Sequence, residues 1–217
     1  MVYSALTSSN HPAKYHDGPR EHVIDTVTIH HMAGNMTAKN CAMWFAGEGG
    51  LTAPVNRSSN YTIGSDGTIC GCCPEDYESY CSSDRRNDDR AVTIEVANDG
   101  DATSGWHVSA EAINALIDLL IDVCKRNNIP KLLWKNDPDL IGLVEEQNVT
   151  VHKWFAATGC PGPYLLSQIP AIVRRVNARL EIKPAAPEDF TAEEKKILKH
   201  VASALKKMIE EETNEQS

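Results

Sequence analysis

The chain has 217 residues, is 41% hydrophobic and carries a net charge of −9, with a sequence pI near 5.3. That length fits one ordinary domain plus an extension, and the apolar share is enough to build a core. The acidic balance argues against a nucleic-acid partner, which needs a basic surface, and no apolar run approaches the roughly 18 residues of a membrane span.

The first 18 residues are polar and lack the basic-then-apolar pattern of a secretory leader. The expectation is synthesis in a cytoplasm, with any target outside reached through a separate release step. Val23 to Ile29 reads as a buried strand ending at His30. Thr37 is placed to cap a helix through Cys41, Trp44 and Phe45 that stops at Gly47, Gly49 and Gly50. Tyr61–Ile63 and Thr68–Cys70 flank the turn residues Ser65-Asp66-Gly67, which predicts a hairpin. Ala91 to Ala97 is another apolar strand, interrupted by one charge, Glu95.

From Ala110 to Lys125, the residues Ile113, Leu116, Ile117, Leu120, Ile121 and Cys124 fall on one face of a helix, with Ser109 as cap. Asp137-Pro138 opens a short helix, and Val149 to Val151 is a short strand leading into His152. Tyr164 to Leu180 reads as a helix bent or restarted near Pro170. Helices interleaved with strands predict a single α/β domain over residues 1–182, built on one mixed sheet flanked by helices. A Pro- and Ala-rich linker spans 183–190, and a separate helix is expected within 191–217. In that tail Leu198, Val201, Leu205 and Met208 are spaced 3, 4 and 3 apart, an a/d-like seam. It serves either to dock or tether the helix, or to join copies into a homo-oligomer.

Seven cysteines, an odd number, predict mostly reduced thiols. Cys124 belongs to the apolar helix face. Cys70, Cys72, Cys73 and Cys81 lack the paired spacing of a zinc ribbon and read as ordinary thiols.

Two segments carry the chemistry. Thr28-Ile29-His30-His31 and Thr150-Val151-His152 each end a β-branched run on histidine, and Thr158-Gly159-Cys160-Pro161-Gly162 follows shortly after. Strand ends aim a side chain because the sheet holds the backbone. His, His and Cys are zinc ligand types, and three protein ligands leave a fourth position for water, the arrangement of a catalytic rather than structural site. Strand alternation lets one of the adjacent histidines face such a site, His30 or His31. Glu95 is costly to bury in an apolar strand without a reason. It reads either as a general base beside an activated water, or as a carboxylate on an exposed edge or paired with Arg85, Arg86 or Arg90.

At these residues the chain resembles the type-2 N-acetylmuramoyl-L-alanine amidases, the zinc amidases of phage endolysins and peptidoglycan recognition proteins. Ile29-His30-His31-Met32-Ala33 is similar to the family's I-H-H-T-A. Ser59-Asn60-Tyr61-Thr62-Ile63 with Asp66-Gly67-Thr68-Ile69 is similar to its hairpin, and Val92-Thr93-Ile94-Glu95 to its I-x-I-E strand. His152 through Thr158-Gly159-Cys160-Pro161-Gly162 resembles its H-x(6)-[TK]-x-C-P-G loop. The resemblance spans roughly residues 20 to 180.

It implies one Zn2+ held by His30, His152 and Cys160 in a surface groove, Glu95 as general base and Thr158 as an oxyanion donor, although Thr158 also reads as a residue holding its own turn. The family tyrosine that contacts the zinc water falls on Ser59, so Tyr61, two residues on, becomes a candidate substitute and substrate contact. Trp44 and Trp154, like Trp106 and Trp134, are candidate sugar or peptide contacts or else core. The implied reaction is hydrolysis of the amide between the lactyl group of N-acetylmuramic acid and L-alanine in bacterial peptidoglycan. Without a leader, the pattern is that of a phage or prophage endolysin made in the host cytoplasm and released to the wall through a holin, with no membrane insertion of its own. The alternatives are a non-catalytic peptidoglycan-binding module, in which the cysteine ligand is typically replaced, and a cytoplasmic recycling amidase, which carries Asp in its place.

Overall fold

The computed structural model describes residues 1–181, together with Thr191, residues 195–197 and Lys199. The expected linker over 183–190 and the Leu198, Val201, Leu205, Met208 seam lie outside the described residues. At the expected start of the tail helix, the Lys195 N–H donates to the Thr191 carbonyl at 3.0 Å.

Eight strands form in the unit Met1–Glu181. They are β1 (Ser9–Asn10), β2 (Gly18–Pro19), β3 (Thr26–His31), β4 (Tyr61–Ile63), β5 (Ile69–Gly71), β6 (Tyr77–Glu78), β7 (Ala91–Val96) and β8 (Val149–Val151). Four helices accompany them: α1 (Ala38–Ala46), α2 (Arg85–Asp88), α3 (Ala110–Arg126) and α4 (Pro163–Glu181). Six strands make one mixed sheet in the order β1-β5-β4-β7-β3-β8, and β2 pairs with β6 apart from it. The central strands run parallel, and β4–β5 is the antiparallel hairpin.

Period-two alternation sorts the central strands into two faces. Val27 and Ile29, Tyr61 and Ile63, Val92, Ile94 and Val96, and Val149 and Val151 join α3 and α4 in the main core. The intervening residues are polar and lie on the opposite face: Thr28 and His30, Thr62, Thr93 and Glu95, and Thr150. There α1 covers part of the sheet, and the Thr62 hydroxyl donates to the Ala38 carbonyl at 2.9 Å. The register pairs His30 with Glu95 and Glu95 with Thr62, which sets imidazole and carboxylate side by side.

Most local expectations hold. Thr37 caps α1 by accepting from the Asn40 N–H, and α1 ends at Gly47 with φ of 73°. Ser109 caps α3. The buried side of α3 is wider than one stripe, since Leu119 and Val123 are also fully buried: α3 packs on α4 as well as on the sheet. Two boundaries differ. Strand β3 begins at Thr26 and runs through both histidines, while Val23 is exposed. Helix α4 is one element with Pro170 inside it, not two.

A buried ion pair ties α3 to the hairpin side of the sheet. Glu75 is almost fully buried, receives two hydrogen bonds from the Arg126 guanidinium at 2.6 and 2.7 Å, and accepts from the Tyr61 hydroxyl at 2.5 Å. Removing one partner of such a pair leaves an uncompensated interior charge. Arg126→Ala is therefore expected to lower stability by about 3–5 kcal/mol. Urea unfolding reads this directly, and a loss within experimental error would contradict the account.

Candidate metal and catalytic site

The polar face of the sheet opens into a cavity of about 770 Å³, within the range of small-molecule sites. His152, Thr158, Cys160, Glu95 and Cys81 line it, as do Trp44 and Arg57. His30 lies at the end of β3 and is fully buried. His152 opens a short 3-10 turn directly after β8. Cys160 arrives from the loop after it, and its backbone is held by the Lys153 N–H donating to the Cys160 carbonyl at 3.1 Å.

One donor atom from each of His30, His152 and Cys160 lies within 4.8 Å of the other two. The Cys160 Sγ is 3.6 Å from His30 Nδ1, and the two imidazole centroids are 4.9 Å apart. Zn–N and Zn–S bonds of about 2.0–2.3 Å at tetrahedral angles imply a ligand separation of roughly 3.5 Å, so the spacing suits zinc. The His152 Nε2 is buried without a hydrogen-bond partner, as a nitrogen aimed at a cation would be. Burial lowers the pKa of His30 and His152, with Arg57 adding to the effect at His152. Both imidazoles therefore stay neutral, the state a ligand requires. Burial and Glu95 push the Cys160 thiol up, and the His31 N–H donating to its Sγ at 3.4 Å works the other way. A thiolate here calls for a cation.

Behind His30 stands a buried polar network. His30 Nε2 is 3.4 Å from Ser82 Oγ. The Asn87 amide donates to Ser82 Oγ at 3.0 Å and to Thr28 Oγ1 at 2.9 Å, and its oxygen accepts from Thr150 Oγ1 at 3.2 Å. The Asp88 carboxylate accepts from the Cys81 and Ser82 N–H groups. Asp84 caps α2, which holds this loop against the sheet.

Glu95 sits beside His30. Its Oε2 is buried and has no hydrogen-bond partner, and burial raises its pKa to about 8. No arginine pairs with it: Arg85 and Arg86 bond other carboxylates and Arg90 bonds Asp25. Thr158 lies in the cavity wall, where its Oγ1 accepts from the Cys160 N–H at 3.2 Å.

Other expected residues take different places, with His31 in the wall of the same cavity. His31 is outside the three-donor cluster, and its ring packs edge-on against Trp106 at 5.5 Å. Tyr61 does not substitute at the site. Alternation turns it to the core face, where its hydroxyl accepts from the Ser4 N–H at 2.7 Å and donates to Glu75. Ser59 is also fully buried and bonds the Tyr61 carbonyl. Trp154 stacks on Trp134 at 5.2 Å and packs against the main core, away from the cavity; of the four tryptophans, Trp44 lines it. All seven cysteines are free, and Cys70, Cys72 and Cys73 fill a small core with α1. Cys81 is free as well, and it stands in the cavity wall. Ser82, Asn87 and Arg57 were not singled out from the sequence, because irregular loops carry no periodic signal.

The profile of the N-acetylmuramoyl-L-alanine amidases matches residues 20–163, well over half of the chain. The chain belongs to this family. No curated protein matches it. Among solved structures, a mutant endolysin from Bacillus subtilis is 16% identical with a TM-score of 0.54, over 81% of this chain and 99% of that one. The PlyG catalytic domain is 13% identical with a TM-score of 0.53, over 82% and 98%. PlyL is 14% identical with a TM-score of 0.52, over 73% and 88%. At these identities the likeness speaks for the fold, a mixed sheet flanked by helices.

Proposed function

We propose that this family member is a zinc-dependent amidase of the endolysin type, which cleaves the amide between the N-acetylmuramic acid lactyl group and L-alanine in bacterial peptidoglycan. The observation that carries the reading is the convergence of His30, His152 and Cys160 beside Glu95, whose Oε2 is buried without a hydrogen-bond partner, at the wall of one cavity.

His30, His152 and Cys160 would hold the zinc, which when bound would supply Lewis acidity for the scissile carbonyl and for a water. With Ser82 Oγ accepting from Nε2–H, the His30 Nδ1, 3.6 Å from Cys160 Sγ, would be the nitrogen left to hold the cation. Glu95 Oε2 takes the proton of the attacking water and passes it to the leaving nitrogen of L-alanine. The Thr158 oxygen already accepts from the Cys160 N–H, so its own O–H is the group left to donate to the developing oxyanion. Arg57, in the cavity wall near His152, is placed to meet a carboxylate of the stem peptide. The polypeptide acts on the wall after release from the host cell, and among the described residues no helix is long and apolar enough to cross a membrane.

Chelation is the first test. Dialysis of the purified protein against a chelator is expected to abolish turbidity loss of peptidoglycan suspensions, and one equivalent of zinc to restore it. Undiminished lysis by thoroughly metal-free protein would overturn the zinc reading.

A further inference from the structure

The cavity holds a thiol that the three-ligand set does not use. Cys81 lies just before α2 with its backbone fixed by the N–H bond to Asp88 at 3.0 Å. Its Sγ is 3.9 Å from Glu95 Oε1. One donor atom from each of His30, Cys81 and Glu95 lies within 4.8 Å of the other two. The other oxygen of the same carboxylate, Glu95 Oε2, is buried without a partner. An imidazole, a thiolate and a carboxylate suit a borderline-soft divalent cation such as zinc or cobalt, and together bring more negative charge than the His30, His152, Cys160 set.

We propose that His30, Cys81 and Glu95 form a second seat for the divalent cation, in which the carboxylate assigned as general base becomes a ligand. Ser82 Oγ engages His30 Nε2, which leaves one ring nitrogen for a cation, so the two seats are alternatives for a single ion. Resting on the amidase reading, the second seat is a silent state: a coordinated Glu95 cannot accept the proton of water. Loss of Cys160 as a ligand by substitution moves the cation toward Cys81.

Cobalt absorption tests the seat without reference to catalysis, since a thiolate ligand gives Co2+ an intense near-ultraviolet charge-transfer band. Metal-free full-length Cys160→Ser protein is titrated with Co2+ alone under reducing conditions, alongside Cys160→Ala in case one of the two does not fold by circular dichroism. One Co2+ per chain with a thiolate band of the unaltered protein's size is expected. In the Cys160→Ser, Cys81→Ser double variant the band should vanish and binding should weaken about tenfold or more. The Cys81→Ser single variant should keep the band through Cys160. A folded Cys160 variant without a thiolate band, or a band that persists in the double variant, would overturn the second seat. Failure of the unaltered chain to cleave peptidoglycan would refute the amidase reading and leave this readout unchanged.

Discussion

Replacing Glu95 by glutamine is expected to lower peptidoglycan hydrolysis about 10²–10⁴-fold, the usual consequence of removing a general base. Glutamine keeps the size and most of the polarity of the side chain but cannot take the proton of water. The interaction it loses belongs to the transition state, so sedimentation with cell walls should change little. His30, His152 and Cys160 remain, so zinc content should stay near one per chain. Rate, zinc content and wall binding measured on the same preparation separate chemistry from assembly. Lysis within about threefold of the parent would remove Glu95 from the mechanism, because general-base loss costs far more.

The same substitution should stabilise the metal-free protein, and the sign follows from burial. Glu95 has its pKa raised from 4.5 to about 8 by desolvation, so the fold favours the protonated carboxyl. That favourable contribution is complete below pH 4.5 and is lost as pH rises toward 8, because ionisation in the cavity wall costs free energy. Glutamine never ionises. With chelator present, Glu95→Gln and the parent should unfold alike near pH 4. Near pH 9 the variant should be more stable by roughly 2–5 kcal/mol. Groups that Glu95 does not touch titrate alike in both proteins, so the difference reports on Glu95 and on the Cys41, Cys81 and Cys160 thiols that its charge pushes up. Zinc should narrow the gap, since a nearby cation favours the carboxylate. Parallel stability curves for the two proteins across this range would show that Glu95 is solvated in solution. An activity-bearing carboxylate that weakens the empty fold is the trade expected where a site is built for charge.

Much of this site was legible because three strands repeat one pattern. Val27-Thr28-Ile29-His30, Val92-Thr93-Ile94-Glu95 and Val149-Thr150-Val151-His152 each alternate an apolar residue for the core with a polar one for the opposite face, and each finishes on a chemical group. Parallel pairing in register then brings the strand ends together. The long helix α3 was equally plain, since its apolar spacing and its Ser109 cap agree with each other.

What escaped the sequence lies where local pattern gives no direction. Tyr61 follows the same alternation as its neighbours, so the residue of that strand facing Glu95 is Thr62, and a tyrosine near the family position became a core residue bonded to Glu75. The segment from Cys81 to Asp88 is short, polar and irregular, and its place behind His30 depends on Asp84 and Asp88 organising backbone N–H groups across the loop. Pro170 left a bent or a restarted helix open, and α4 runs through it as one element. Its first-turn and core contacts, Leu165, Ile169, Ile172 and Val176, are fully buried on either side of the proline. Packing on that scale offsets the loss of one helical hydrogen bond.

The account as a whole turns on which bond is cut. Purified peptidoglycan digested with the full chain, with and without chelator, can be separated and its soluble products weighed by mass spectrometry. The expected products are stem peptides with a free L-alanine amino terminus and glycan strands retaining intact N-acetylmuramic acid, both absent when chelator is present. Products cut within the glycan or inside the peptide, or none at all from zinc-loaded protein, would contradict it.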